Sequence, residues 1–209
     1  MNVSKLEVVY SPKQDHLLYT PVILTASLLA KDDQRPITIR STDHAASNTN
    51  SGVDVLVDSK PVVQQLRPFY VCKLLIQSTN KPTSLYASAD VLQIDYLVDQ
   101  IENSVNNLND LIVQLDAQLL NKKYLVGSTG LTLADLFLWS RLAYLEGDQL
   151  SKFDKLKRWF NRVENDLRAA LSLLALYTPK SECHFGWFSF FLDETASPEH
   201  SKRDLNGPA

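Results

Sequence analysis

Apolar and polar positions follow two different rhythms along this chain. In the first part the apolar runs are short: residues 6–10 and 37–39 read as strands, and 17–30 read as a helix with Pro21 near its first turn. That is a βαβ opening. A polar stretch over 41–52, rich in Ser, Thr, Asn and Asp, reads as a loop, and the alternating Val53-Asp54-Val55-Leu56-Val57 as a further strand. The apolar periodicity after Lys60 runs through Leu74. Ser59 as N-cap with Pro61 in the first turn predicts a helix there, which Pro68 must end or kink.

After the polar linker 77–84 the rhythm becomes purely helical, which sets a domain boundary near Leu85. Between 90 and 120 the apolar residues recur every three or four positions, the mark of one buried face carried over two helices. The weak helix formers Asn103, Asn106, Asn107 and Asn109 predict a break between them. The outward positions Asp90, Asp95, Asp99, Glu102, Asp110 and Asp116 predict a strongly acidic face, since no Lys or Arg intervenes before Lys122.

Residues 124–136 write a glycine turn and a capped helix into the sequence. Thr132 can accept from the Asp135 amide while the Asp135 carboxylate reaches back to the Thr132 amide, and Leu131 with Leu136 can form a hydrophobic staple. The almost wholly apolar run Leu136-Phe137-Leu138-Trp139 then requires a helix buried inside a helical domain. Loss of this cap should cost about 1 to 2 kcal/mol. Gly147-Asp148 marks a turn, and 153–167 form an amphipathic helix with Phe153, Leu156, Trp159, Phe160 and Val163 inward. Its outer face is basic, with Lys or Arg at 152, 155, 157, 158, 162 and 168. From about 178 the chain turns irregular, with an aromatic cluster at 184–191 and a polar tail expected to be disordered. The implied organisation is 1–84, an all-helical 85–177, and 178–209.

Charge and composition narrow the chemistry. A net charge of −3 gives no overall attraction to phosphate backbones, so contact with tRNA would depend on the local basic helix face, where Asp154, Glu164 and Asp166 dilute the field. Opposite charge on two faces suits a charge-complementary protein partner. Cys72 and Cys183 stand too far apart in sequence for a disulfide framework, and with His16, His44, His184 and His200 they form no metal-ligand spacing, so no metal is expected. With no secretory signal pattern and no apolar run long enough to cross a bilayer, the cytoplasm is the expected location.

A βαβ half, a linker, and a helical half with a glycine turn followed by Thr132-Leu133-Ala134-Asp135 together resemble the glutathione transferase fold over roughly residues 5–172. The implied class is α+β: a diverged thioredoxin-like N-terminal half followed by an all-helical C-terminal half. Within that superfamily, Lys123-Tyr124-Leu125-Val126-Gly127, the 131–136 run, Lys157-Arg158-Trp159-Phe160, Leu85-Tyr86-Ala87-Ser88 and Ile94-Asp95-Tyr96-Leu97 are similar to the domains appended to eukaryotic glutamyl-tRNA and glutamyl-prolyl-tRNA synthetases.

The resemblance implies a non-catalytic module, without a cofactor, that docks a synthetase onto other transferase-like domains of a multi-synthetase complex. Catalysis would lie in domains outside this chain. Arg158 would anchor the partner by stacking or bidentate pairing, with Lys155 and Arg162 beside it, while Thr132 and Asp135 would be structural. Homodimerisation, as in true transferases, stays open.

The alternative is a divergent glutathione transferase conjugating glutathione to electrophiles. Tyr10 or Ser11 would then stabilise the thiolate, and Asp58 with Ser59 would grip the γ-glutamyl end. Against it, transferases place a cis-proline just before the third strand, and no proline occurs between Arg40 and Lys60.

Overall fold

In the computed structural model the residues described are 6–10, 16–32, 37–41, 53–57, 60–79, 83–104, 107–120, 122–127, 130–143, 145 and 150–177. Strand β1 (Leu6–Tyr10) leads through helix α1 (His16–Asp32) to β2 (Ile37–Ser41), which pairs with it in parallel, Leu6 opposite Ile37. The βαβ opening is therefore present. Strand β3 (Val53–Val57) lies antiparallel on the other side of β1 and pairs in turn with β4 (Lys60–Leu66), giving the order β2-β1-β3-β4.

The structure corrects the expectation of a helix opening at Ser59. β4 runs where that helix was placed, and helix α2 (Pro68–Ser78) starts at Pro68, the residue expected to end it. Two proline effects explain the exchange. Pro61 has no N–H to give, which an edge strand tolerates, and it sits opposite Leu56 on the outermost strand. Pro68 at the first helical position lacks an amide that would have no intrahelical partner anyway. Asp58 and Ser59 themselves lie outside the described residues, between the paired Val57 and Lys60.

The helical half follows the pattern closely. Helix α3 (Val91–Asn103) and helix α4 (Leu108–Gln118) bury Ile94, Leu97, Val98 and Ile101, then Leu111, Ile112 and Leu115, with the break falling at the asparagine cluster. Helix α5 (Leu133–Leu142) is buried along its length apart from half-exposed Arg141. Helix α6 (Asp154–Tyr177) buries Leu156, Trp159, Phe160, Val163 and Leu167, one stripe at spacings of three and four. Helix α1 packs against α2, α5 and α6, so Val22, Ile23 and Leu24 share one continuous core with Leu75, Leu136 and Trp159. The aromatic cluster 184–191, the polar tail and the Gly147-Asp148 turn lie outside the described residues.

The glycine turn is real. Gly127 holds a φ of 67°, and a Cβ there would meet Asp90 Oδ2 at 2.9 Å, so both its backbone and its contact with the start of α3 call for glycine.

Candidate functional site

Helix α6 carries the basic face, and two carboxylates from other elements hold it in place. Asp116 on α4 accepts hydrogen bonds from the Lys155 and Leu156 amides through Oδ1, at 3.1 and 2.9 Å. These are donors of the first helical turn, which have no partner within the helix. One turn further on, Trp159 Nε1 donates to Asp135 Oδ1 at 2.9 Å, and Phe160 stacks on Trp139 of α5, with ring centroids 5.7 Å apart. Lys157-Arg158-Trp159-Phe160 thus divides into two outward cations and two inward anchors.

Arg158 is exposed, and its Nε donates to the Asp154 carbonyl oxygen at 3.2 Å. That bond uses Nε and leaves the Nη groups without an intramolecular partner among the described residues, open to a ligand. Lys155 is half-buried and Arg162 exposed, seven positions apart and so on one flank of α6. On that flank Tyr124 donates from its hydroxyl to Asp166 Oδ2 at 2.9 Å, tying the segment before the glycine turn to α6. Burial, followed by the Asp166 bond and charge, raises the Tyr124 pKa, with Arg162 pulling against them.

Asp135 does more than close a capping box. Both halves of the box are present, Thr132 Oγ1 accepting from the Asp135 amide and the Thr132 amide donating to Asp135 Oδ2 at 2.9 Å, and the Thr132 hydroxyl also donates to that carboxylate oxygen at 2.7 Å. The other oxygen, Oδ1, accepts from the Leu125 amide at 2.8 Å as well as from Trp159. A fully buried carboxylate therefore joins the glycine turn, the start of α5 and the middle of α6. Burial lifts its pKa above the ordinary carboxylate range against the pull of these four hydrogen bonds. Thr132 and Asp135 are both buried, and their polar atoms are taken up by one another and by Leu125 and Trp159.

The acidic face is thinner than its sequence suggests, because packing draws several of its members inward. Asp116 caps α6, as described. Glu102 is half-buried and accepts from the Phe69 amide in the first turn of α2; burial raises its pKa, with Arg67 and that amide opposing. Asp95 accepts from the Tyr86 hydroxyl at 2.6 Å and pairs with Lys73 at 3.2 Å. Burial pulls the Lys73 ammonium down, yet its bonds to Tyr86 and Asp95 leave its pKa raised, and it lies 4.9 and 4.8 Å from the Phe69 and Tyr86 ring centroids. Spacing on one helix face predicts these acids as surface groups; the neighbouring helix ends make caps of Asp116 and Glu102, while Tyr86 and Lys73 take up Asp95.

Of the positions that glutathione chemistry would need, only the Tyr10 backbone falls within the described residues. Tyr10 closes β1 opposite Ser41, while its side chain, Ser11, Asp58 and Ser59 lie outside what is described. At the start of α2, the first helix after the β3–β4 hairpin, stand Arg67 and Pro68, and Arg67 makes no side-chain cap. Among the described residues no helix is long and apolar enough to cross a membrane.

A small sheet in the order β2-β1-β3-β4, followed by helices α3 to α6, is the glutathione transferase fold. Residues 89–166 match the family described as "Glutathione S-transferase, C-terminal domain". Among solved structures, a Nilaparvata lugens delta-class glutathione transferase is 18% identical with a TM-score of 0.59, over 77% of this chain and 88% of its own. Rat hPGDS complexed with a quinoline is 14% identical with a TM-score of 0.61, over 84% of this chain and 98% of its own. A chain from binary sub-complexes of the yeast aminoacyl-tRNA synthetase complex is 14% identical with a TM-score of 0.59, over 92% of this chain and 99% of its own. No curated protein sequence matches the chain.

Proposed function

We propose that this chain is a protein-docking module of an aminoacyl-tRNA synthetase of glutamyl or glutamyl-prolyl type, joining it to other transferase-like domains in a multi-synthetase complex. The observation that carries the reading is the rigid, outward basic face of α6, with Arg158 held by its own helix between the anchors Asp116 and Asp135. The planar guanidinium, with Nε already bonded to its own helix, can stack on a partner or pair with it bidentately at less cost per hydrogen bond than a lysine. The likeness to a chain of the yeast synthetase complex over nearly the full length of both supports it. By itself the module carries no catalysis and needs no cofactor.

The test is binding of the purified chain to purified transferase-like domains of synthetases and complex scaffold proteins. Arg158→Ala should weaken capture by about tenfold, a typical loss for an arginine anchor, with the unfolding midpoint unchanged. Unaltered capture would remove the basis for the reading.

A second reading, a divergent glutathione transferase, is favoured by the several glutathione transferases among the similar folds. Retention on glutathione resin together with turnover of a generic electrophile would establish it.

A further inference from the structure

The α6 cations do not stand alone. Val113 on α4 and Leu120 just beyond its end are 58% and 63% exposed, and they flank Asp116, three positions after one and four before the other. Those spacings put both on the side of α4 that carries Asp116, whose carboxylate touches the first turn of α6 at Lys155. After Leu120 the chain passes through exposed Lys122 and Lys123 to Tyr124, which is bonded to Asp166 beside Arg162. The two aliphatic side chains therefore lie on the side of α4 whose Asp116 holds the start of α6 at Lys155, and Leu120 leads through Lys122 and Lys123 towards the Tyr124–Asp166 bond. Two of the carboxylates on this surface are engaged, Asp116 with α6 amides and Asp166 with Tyr124, while Asp110, one turn before Val113, and Asp154, beside Lys155, are exposed among the five cations Lys122, Lys123, Lys155, Arg158 and Arg162. In a chain of net charge −3, this is a cationic patch with an apolar strip.

We infer that Val113 and Leu120 form the apolar centre of a composite α4–α6 docking surface, whose occupant is a protein face of apolar side chains flanked by carboxylates. The inference rests on the docking reading of α6 and names the chemistry of the partner. Two features decide the occupant. The rim of lysines and arginines calls for negative charge, and burying two aliphatic side chains calls for an apolar counterpart at the centre, the usual anatomy of a protein interface. A nucleic acid would answer the charge alone: phosphates gain nothing from Val113 or Leu120, and among the described residues the exposed aromatic rings that could stack on bases, Tyr70 and Tyr96, sit on α2 and α3.

The experiment uses the same purified transferase-like domains as probes, with total tRNA as a competing ligand. Three variants are compared: Val113→Ser with Leu120→Ser, Lys122→Glu with Lys123→Glu, and Arg158→Ala. All replace surface side chains, and an unchanged urea midpoint confirms the fold. The expected result is that each of the two paired variants weakens binding by about tenfold, that added salt weakens it further, and that tRNA does not compete. If Arg158→Ala weakens binding and the Val113/Leu120 pair does not, the composite surface is wrong while docking through α6 stands. If none of the variants matters, or no probe binds, both fail. Binding of tRNA that is steep in salt and indifferent to the Val113/Leu120 pair would assign the patch to nucleic acid. Self-association abolished by that pair would assign it to a second copy.

Discussion

Replacing Asp135 with alanine should damage this protein far more than the loss of a helix cap. The substitution removes the acceptor of three N–H donors, from Leu125, Thr132 and Trp159, and of the Thr132 hydroxyl, at 2.7 to 2.9 Å. Leu125, Thr132 and Trp159 are all buried, so water cannot take the place of the carboxylate. A hydrogen bond to a charged group contributes about 1.5 to 3 kcal/mol, and a buried donor left without a partner costs about 1 to 3 kcal/mol. Relief of the carboxylate's own burial, visible as its raised pKa, offsets part of the sum. The net expectation is a loss of about 4 kcal/mol, a large share of the ~5 to 15 kcal/mol of a typical domain.

Thr132→Ala supplies the internal reference, because it removes the cap hydroxyl and leaves the other three donors bonded; its loss should be about 1 kcal/mol. Urea unfolding followed by far-UV circular dichroism measures both without relying on the tryptophan being perturbed. Should Asp135→Ala not fold, Asp135→Asn keeps one acceptor and should lose about 2 kcal/mol, still more than Thr132→Ala. Asp135 variants no more destabilised than Thr132→Ala would show that the bonds to Leu125 and Trp159 contribute nothing, and the account of α6 as anchored there would be refuted.

Three further outcomes follow from the same contacts. The folded pKa of Glu102 is raised, so its contribution to stability is full below its ordinary value of 4.5 and is lost as pH climbs through the folded value; Glu102→Gln should flatten that fall in a series of urea midpoints, and parallel curves would contradict it. Gly127→Ala should cost about 1 to 2 kcal/mol from its left-handed backbone, and Asp90→Ala in the same chain should recover the steric part only, as read from thermal unfolding. Burial pushes the Cys72 thiol up to about 12, with Thr25 pulling against it. In a Cys183→Ser background Cys72 should therefore react with a thiol reagent at pH 8 only as fast as the protein opens, and labelling at the rate of a free thiol would overturn its burial.

How far the basic face could be read in advance depended on period. Lys155, Arg158 and Arg162 fall on the polar side of an unambiguous amphipathic helix, so their outward placement was legible residue by residue. Val113 and Leu120 were not: each is an ordinary apolar residue next to a run of core leucines, and exposure separates them only once Leu111, Ile112, Leu115 and Leu119 have taken the inward side.

By itself the sequence determined whatever is settled within about one helical turn. It specified the Thr132–Asp135 box, the positive-φ glycine, the break after Asn103 and the buried stripe of α6, because each depends on hydrogen bonds or side-chain spacing among near neighbours. Tertiary structure decided which partners lie across elements. Whether Pro61 or Pro68 opens a helix turned on β3 offering Lys60–Leu66 an edge to pair with. The same holds for the acids: Asp116 and Glu102 look like surface charges until other helices set their amide ends against them, and Asp135 looks like a local cap until Leu125 and Trp159 arrive. A carboxylate's local sequence records which side of its helix it occupies, while the donors it meets there are brought by the packing of the whole chain.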